Sequence, residues 1–190
     1  MQPLTITNLI GRIPEKAKLD GMLVSGKAEF LAVYGRRRVG KTFLIRQHLK
    51  NNIVFDFTGT REGATEAQLK NFFDEYLKRT KQKKEKHPPT TWQDAFRYLA
   101  KYLAALPKKK QKHVVFIDEM PWLDNPKSNF IAALEYFWNQ HVSAMDNILL
   151  IACGSASSWI KRKLINARGG LHNRITQRIK LQPFNLHETA

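Results

Sequence analysis

Residues 35–42 read Gly-Arg-Arg-Arg-Val-Gly-Lys-Thr and fit the pattern G-x-x-x-x-G-K-[ST]. In this pattern a glycine-rich loop surrounds a phosphate with backbone N–H groups and opens onto a helix N-terminus, which favours negative charge. An apolar, β-prone run at residues 30–34 precedes the motif, and a helical pattern with an apolar face follows at residues 42–49. A strand, a glycine loop and a helix in this order predict a phosphate-binding α/β domain.

The side chains of this loop predict its contacts with a nucleotide. Gly35 and Gly40 permit backbone angles that other residues rarely adopt. Lys41 can reach the terminal phosphates, so it is also a predicted catalytic residue, and the Thr42 hydroxyl can ligate Mg²⁺. A glycine turn with an idle lysine is the alternative, which the flanking strand and helix disfavour. The predicted nucleotide-binding residues here are Gly35, Arg36, Arg37, Arg38, Val39, Gly40, Lys41, Thr42 and Phe43.

A second motif lies at the end of another apolar run. Residues 114–117 are all apolar and lead directly into Asp118 and Glu119, as expected for a buried parallel strand whose carboxyl end faces a ligand. Asp118 is predicted to hold Mg²⁺ through water. Glu119 is predicted to be catalytic, because its carboxylate could orient and deprotonate an attacking water. A solvated acidic pair at a strand end is the alternative, which the phosphate loop disfavours.

Length and composition set further limits. A chain of 190 residues is long enough for one α/β domain with a substantial core, and no apolar run is long enough to span a bilayer. The first residues lack the pattern of a signal peptide, and a single cysteine excludes an internal disulfide. Cys153 ends an apolar run and is predicted to be a core residue rather than a nucleophile. These features predict a cytoplasmic protein that does not enter a membrane.

The formal net charge of +16 is unusual, and much of it is concentrated in clusters. Basic clusters can follow a nucleic-acid backbone, or they can be solvated helix ends and loops. Aromatic residues for base stacking are not interleaved with these lysines, and the first two clusters fall where loops are predicted. DNA contact therefore stays open as an alternative. The clusters lie at residues 78–86, 108–112 and 161–163.

Apolar runs of strand length alternate with helical patterns along the whole chain. This alternation predicts a parallel sheet with right-handed crossovers. Thr90 or Thr91 is predicted to cap the fourth helix. The predicted strands are residues 30–34, 53–57, 114–118, 148–153 and 179–181.

Several stretches together point to one family. They are Gly11-Arg12 with Glu15, and residues 33–42, 117–123, 153–156, 171–176 and 181–184. The chain resembles the archaeal-type ATPases of the STAND class of P-loop NTPases, which are relatives of the AAA+ and origin-recognition ATPases. The resemblance implies a three-layer α/β/α sandwich with a five-stranded parallel sheet in the order 5-1-4-3-2.

The resemblance also implies roles for residues outside the two motifs. Ser155 matches a polar sensor that hydrogen-bonds the γ-phosphate or the attacking water, and a helix cap is the alternative. Gly11 and Arg12 match a segment that contacts the nucleotide, although Arg12 could equally form a surface salt bridge. Pro14 departs from the family pattern, which normally has a helix-favouring residue there.

Arg174 matches an arginine that relatives present to the γ-phosphate of another subunit, which implies a nucleotide-dependent homo-oligomer. An ion pair within the subunit is the alternative. Residues 1–190 are expected to form one ATPase core. Residues 183–190 read like the start of another helix, so a lid and a winged-helix region are expected after residue 190.

These observations predict a Mg²⁺-dependent core that binds ATP, hydrolyses it to ADP and phosphate, and acts as a nucleotide-driven switch. One alternative is a DNA-binding ATPase related to replication initiators, with the lysine clusters on the duplex. Another is a nucleotide-binding scaffold that does not hydrolyse ATP, against which Glu119 argues. A kinase is less favoured, because no acceptor-binding motif is recognisable.

Overall fold

Strands and helices alternate as the sequence predicts. The computed structural model describes residues 10–81, 87–166, 171 and 173–184, so residues 82–86 of the first lysine cluster, His172 and the expected helix start at 185–190 lie outside it. The strands are β1 (Glu29–Tyr34), β2 (Ile53–Thr58), β3 (His113–Asp118), β4 (Ile148–Gly154) and β5 (Gln177–Lys180). The helices are α1 (Ile13–Leu23), α2 (Lys41–His48), α3 (Thr65–Thr80), α4 (Trp92–Ala104), α5 (Phe130–Gln140) and α6 (Ser157–Ile160). Short 3₁₀ turns at Met120–Leu123 and Val142–Ala144 and a π-helical turn at Lys161–Ile165 complete them.

The five strands form one sheet in the order β2-β3-β4-β1-β5, and every pairing in it is parallel. Read from the other edge, this is the predicted order 5-1-4-3-2. β4 therefore lies between the strand that precedes the glycine loop and the strand that ends at Asp118. The predicted fold class is confirmed.

The central strands are buried along their whole length. All residues of β1, β3 and β4 are buried, because helices cover both faces of the sheet. One face packs against α1 and α2 through residues such as Leu19 and Leu44. The other packs against α3 to α6 in a larger, aromatic core, in which Phe96 stacks on Phe137 at 4.8 Å between ring centroids. None of the helices in the described part of the chain is long and apolar enough to cross a membrane.

Local hydrogen bonds explain where two helices begin. The Thr91 hydroxyl accepts a hydrogen bond from the Asp94 backbone N–H, so Thr91 caps α4, one of the two caps predicted. α5 begins at Phe130, whose N–H donates to the Ser128 hydroxyl at 3.2 Å. The starts of α4 and α5 are therefore set by hydrogen bonds from residues next to them in the sequence.

Buried polar groups join the segments that lead into the amino ends of the strands. The Lys112 ammonium is buried and donates to the backbone carbonyls of Ser25 and Asp146, which precede β1 and β4. The Glu29 carboxylate accepts from the hydroxyls of Ser25 and Thr176. The expectation that the 108–112 cluster is solvated or binds nucleic acid is therefore wrong for Lys112, because it has these internal acceptors. Burial lowers the pKa of Lys112, and the charges of Glu29 and Asp146 partly oppose this shift.

Candidate nucleotide-binding site

Most of the predicted site residues meet at the opposite side of the sheet, beyond the carboxyl ends of the central strands. The register pairs Tyr34 with Gly154 and Ile117 with Ala152. Because the strands are parallel, the residues that follow β1, β3 and β4 converge at this edge. The glycine loop after β1 thus meets Asp118 and Glu119 after β3 and Ser155 after β4.

The glycine loop wraps around the ammonium group of Lys41. This side chain is buried, and its Nζ donates to the carbonyl oxygens of Gly35 at 3.1 Å and Arg36 at 2.8 Å. Gly35 has φ 151°, and a Cβ there would lie 2.2 Å from the Leu181 carbonyl oxygen, so only glycine fits. Gly40, with φ 90°, leads into α2 at Lys41. The loop therefore has the shape and the lysine that a polyphosphate requires.

Two oxygen ligands suited to Mg²⁺ lie side by side. The Thr42 hydroxyl donates to the Asp118 carboxylate at 2.7 Å, and Asp118 is buried. Hydroxyl and carboxylate oxygens are ligands that Mg²⁺ prefers, and this ion commonly takes few protein ligands besides water and substrate phosphates. The part of the chain that the structure describes contains no group of three or more His, Cys, Asp and Glu side chains that could hold a metal ion. Thr42 and Asp118 fit a nucleotide-bound Mg²⁺.

Glu119 and Ser155 contact each other directly. Glu119 leaves β3 with a left-handed backbone, φ 43°, and its carboxylate accepts a 3.1 Å hydrogen bond from the Ser155 hydroxyl. The Nε of Arg37 donates to the same hydroxyl at 3.5 Å. Ser155 does not cap α6, whose first flanking residue is Ala156 and has no side-chain cap. Ser155, the predicted sensor, is thus hydrogen-bonded both to Glu119, the predicted base, and to Arg37 of the glycine loop.

Arg12 is buried, so the alternative of a surface salt bridge is wrong. Its guanidinium donates to the Val39 carbonyl oxygen at 3.2 Å and lies 4.1 Å from the Phe184 ring centroid. Arg12 also forms a looser ion pair with Glu15, at 3.8 Å. Arg12 and Gly11 both have left-handed backbones and precede α1, which accommodates Pro14 in its first turn. The segment therefore contacts the glycine loop itself.

Two predicted residues stand apart from this group. Phe43, on the first turn of α2, has an exposed ring. Arg174 is exposed in the turn before β5, and nearby the Thr176 N–H donates to the carbonyl of Phe30 at the beginning of β1. Because β1 rises about 3.3 Å per residue, Arg174 lies on the order of 15 Å from the glycine loop of its own chain. The predicted role of Arg174 therefore requires a second subunit.

Several polar residues beside the site are not predicted from the sequence. The side chain of Gln68 is buried on α3, where it bonds the backbone of Thr60 and the carbonyl of Trp122. Arg46 donates two hydrogen bonds to Asp56, at 2.8 and 2.9 Å, and this pairing raises the pKa of Arg46. The sequence contains one signal for Gln68, because this residue is polar but lies at helical spacing from the apolar residue Phe72, on the apolar face of α3.

Cys153 is a buried core residue, as predicted. Burial raises the pKa of its thiol well above the ordinary value, and the nearby charge of Asp118 raises it further. A protonated thiol is a poor nucleophile. Cys153 therefore belongs to the core, where it packs in the same cluster as Leu31 and Ile151.

The glycine loop, the acidic strand end and the sheet order together define the class of P-loop ATPases. The chain belongs to the family described as the ATPase domain predominantly from Archaea, which matches residues 10–190.

Two known proteins are similar to the chain over most of its length. It is 26% identical over 175 residues to the uncharacterised protein MJECL04 of Methanocaldococcus jannaschii, a match that covers 92% of this chain and 36% of that protein. Its fold is similar to that of the Walker-type ATPase PABY2304 of Pyrococcus abyssi, with a TM-score of 0.62 and 19% identity. That likeness covers 95% of this chain and 55% of the other, and at this identity it concerns the fold alone. The chain thus spans about a third and about half of the lengths of these two proteins.

Proposed function

We propose that this chain is a Mg²⁺-dependent core that binds ATP and hydrolyses it to ADP and phosphate. The observation that carries the proposal is the 2.7 Å hydrogen bond between Thr42 and Asp118, which joins the phosphate loop to the acidic strand end. Glu119 lies next to this pair, with its carboxylate oriented by Ser155. A phosphate, a metal and a water could therefore be held together at this edge.

The roles of the residues follow from these contacts. Lys41 would exchange its two carbonyl acceptors for β- and γ-phosphate oxygens, and Thr42 and Asp118 would hold Mg²⁺, which neutralises phosphate charge when bound. Glu119 would take a proton from water as the water oxygen bonds to the γ-phosphorus. The bond from that phosphorus to the bridging oxygen breaks, and its electron pair stays on ADP. Ser155 would keep the Glu119 carboxylate in position.

The test is nucleotide binding and phosphate release by the purified chain. Titration calorimetry with ATP and ADP, with and without Mg²⁺, measures binding, and release of phosphate measures turnover. Asp118→Asn should weaken the Mg²⁺-dependent part of ATP binding. Lys50→Ala, at an exposed lysine just beyond α2, is the matched control and should leave both measurements unchanged. Absence of nucleotide binding by the wild-type chain would contradict the proposal.

We place the chain in the STAND class, with a switch function, a cytoplasmic location and a nucleotide-dependent homo-oligomer in which Arg174 reaches a neighbouring γ-phosphate. The greater lengths of the two similar proteins leave room for the lid and winged-helix regions that the resemblance implies. A lid would exclude water and bring charge to the γ-phosphate.

A DNA-binding ATPase remains the second candidate, and the net charge of +16 favours it. Lys108, Lys109 and Lys110 are exposed, as are Lys78 and Lys81 at the end of α3. If these lysines neutralise DNA phosphates, replacing them should reduce the salt dependence of affinity by about one unit of slope for each phosphate that is no longer neutralised. A chain that does not bind duplex DNA at low salt would exclude this candidate.

A further inference from the structure

Two arginines from different loops lie against one indole ring. Trp122 belongs to the 3₁₀ turn that follows Glu119, and its side chain is half-buried. The guanidinium carbons of Arg37 and Arg61 lie 5.9 and 5.6 Å from its ring centroid. Arg37 belongs to the glycine loop, and Arg61 to the loop after β2. An indole attracts cations at such distances, so Trp122 can hold both guanidinium groups near the site.

The loop that carries Arg61 is fixed beside the acidic strand end. The Gly59 N–H donates to the Asp118 carbonyl oxygen at 2.9 Å. The buried Gln68 amide accepts from the Thr60 N–H at 3.0 Å, donates to the Thr60 carbonyl at 2.7 Å and donates to the Trp122 carbonyl at 3.3 Å. One buried side chain therefore positions both the loop that carries Arg61 and the turn that carries Trp122.

Among the described residues, neither of the two arginines forms a buried ion pair. Arg61 pairs with Glu62 at 3.2 Å, but both side chains are exposed, and such a surface pair contributes little. Arg37 donates to the neutral hydroxyl of Ser155. Both guanidinium groups lie against the same indole, so a phosphate that reaches both of them would gain charge-assisted hydrogen bonds from two arginines. Arginine binds phosphate oxygens in a two-pronged geometry that lysine does not reproduce.

We propose that Arg61 contacts the γ-phosphate of ATP together with Arg37, and that Trp122 positions both arginines. The inference rests on the proposed ATPase function and adds a residue that selects the triphosphate. Arg61 follows β2 and shares Trp122 with Arg37 of the glycine loop, so it would supply charge to the nucleotide bound by its own chain. This contrasts with Arg174, near the β5 edge, which requires a neighbouring subunit.

The first test compares ATP with ADP. Arg61→Ala should weaken ATP binding about tenfold or more, as expected when a charge-assisted hydrogen bond is removed, while ADP affinity stays within about twofold. Arg61→Lys should restore only part of the ATP affinity, because it keeps the charge and loses the planar fork. Arg162→Ala, at an exposed arginine of the Lys161–Ile165 turn, is the matched control and should change neither affinity.

The second test uses fluorescence. Trp92, Trp138 and Trp159 are buried, whereas Trp122 is half-buried next to two cations. Binding of ATP should move the guanidinium groups relative to Trp122 and change tryptophan emission, and ADP should produce a much smaller change. Trp122→Phe should remove this ATP-specific signal but keep most of the ATP affinity, because phenylalanine still attracts cations. Trp122→Ala should lower ATP affinity towards that of Arg61→Ala.

The outcomes separate this inference from the proposed function. If the wild-type chain binds neither ATP nor ADP, the proposed function fails. If the wild type binds both and Arg61→Ala binds ATP as the wild type does, the function stands and Arg61 has no role in it. Equal weakening of ATP and ADP by Arg61→Ala would indicate a merely structural residue and would also overturn the inference.

Discussion

A lysine is buried at each end of the parallel strands, and the two lysines differ in the groups to which they donate hydrogen bonds. Lys41, where the strands end, and Lys112, where they begin, both donate to two backbone carbonyls. The acceptors of Lys41 belong to Gly35 and Arg36 in its own loop. The acceptors of Lys112 belong to Ser25 and Asp146, far away in the sequence. Lys112 therefore joins separate segments, whereas Lys41 closes only a local loop.

The carboxylates at the two ends of the strands also differ in what they join. Glu119 and Glu29 each accept a hydrogen bond from a serine hydroxyl. Glu29 also bonds Thr176, which precedes β5, so it joins β1 to its neighbour. Glu119 bonds Ser155 at the edge where the glycine loop opens. Burial of a charged group thus does not identify a functional residue. Partners at the opening of the glycine loop, which a ligand can replace, distinguish the nucleotide-site end of the sheet from the end that serves only the fold.

The largest expected effect separates the two glutamates. Glu119→Gln should lower ATP turnover by about 10²- to 10⁴-fold, because an amide cannot accept the proton of the attacking water. ATP affinity should remain close to that of the wild type. Glu29→Gln is the matched variant and should retain the wild-type turnover per folded molecule. Phosphate release measures both, and wild-type turnover in Glu119→Gln would contradict the assignment of the base.

The next effect separates the lysines by affinity. Lys41→Ala should weaken ATP binding about a hundredfold or more, because charge-assisted hydrogen bonds to two phosphates are removed. Its loss of stability without nucleotide should not exceed that of Lys112→Met, because each substitution leaves two backbone carbonyls without their donor. Titration calorimetry and thermal unfolding measure these quantities. A nucleotide-induced thermal shift as large as in the wild type would exclude the phosphate-loop role.

A smaller effect is expected at the other lysine, and it concerns stability. Lys112→Met should lower the free energy of unfolding by about 1–2 kcal/mol, because the carbonyls of Ser25 and Asp146 lose their donor. ATP affinity should not change. Urea denaturation followed by circular dichroism measures the stability. A variant as stable as the wild type would mean that water satisfies these carbonyls and that Lys112 does not join the segments.

The smallest effect is a pH dependence. The pKa of Lys112 is lowered in the folded state by burial, so the unfolded chain binds its proton more tightly. This contribution to stability is fully present above the unfolded lysine pKa of about 10.4 and is lost as the pH falls through the folded value. Between the lowered folded pKa and the unfolded pKa of Lys112, wild-type stability should therefore rise more steeply with pH than that of Lys112→Met. Parallel pH profiles of the two proteins would contradict the lowered pKa.

The sequence predicted the candidate site at the carboxyl ends of the strands better than the contacts at their amino ends. The glycine loop and the pair Asp118 and Glu119 are contiguous motifs, so their chemistry can be recognised before folding. The sheet order was implied by the resemblance to a family, because alternating strands and helices are compatible with several orders. The 108–112 run looked solvated, and the burial of Lys112 depends on carbonyls of two distant segments.

By itself, the sequence determined the class of fold, the phosphate loop and the acidic residues beside it. These depend on residue types at short spacing and on apolar runs that must be buried. The tertiary structure decided that Ser155 bonds Glu119, that Gln68 supports two loops and that Arg37 and Arg61 share Trp122. These contacts join residues distant in the chain. They follow from the parallel register that brings the ends of the strands together, and no local pattern encodes them.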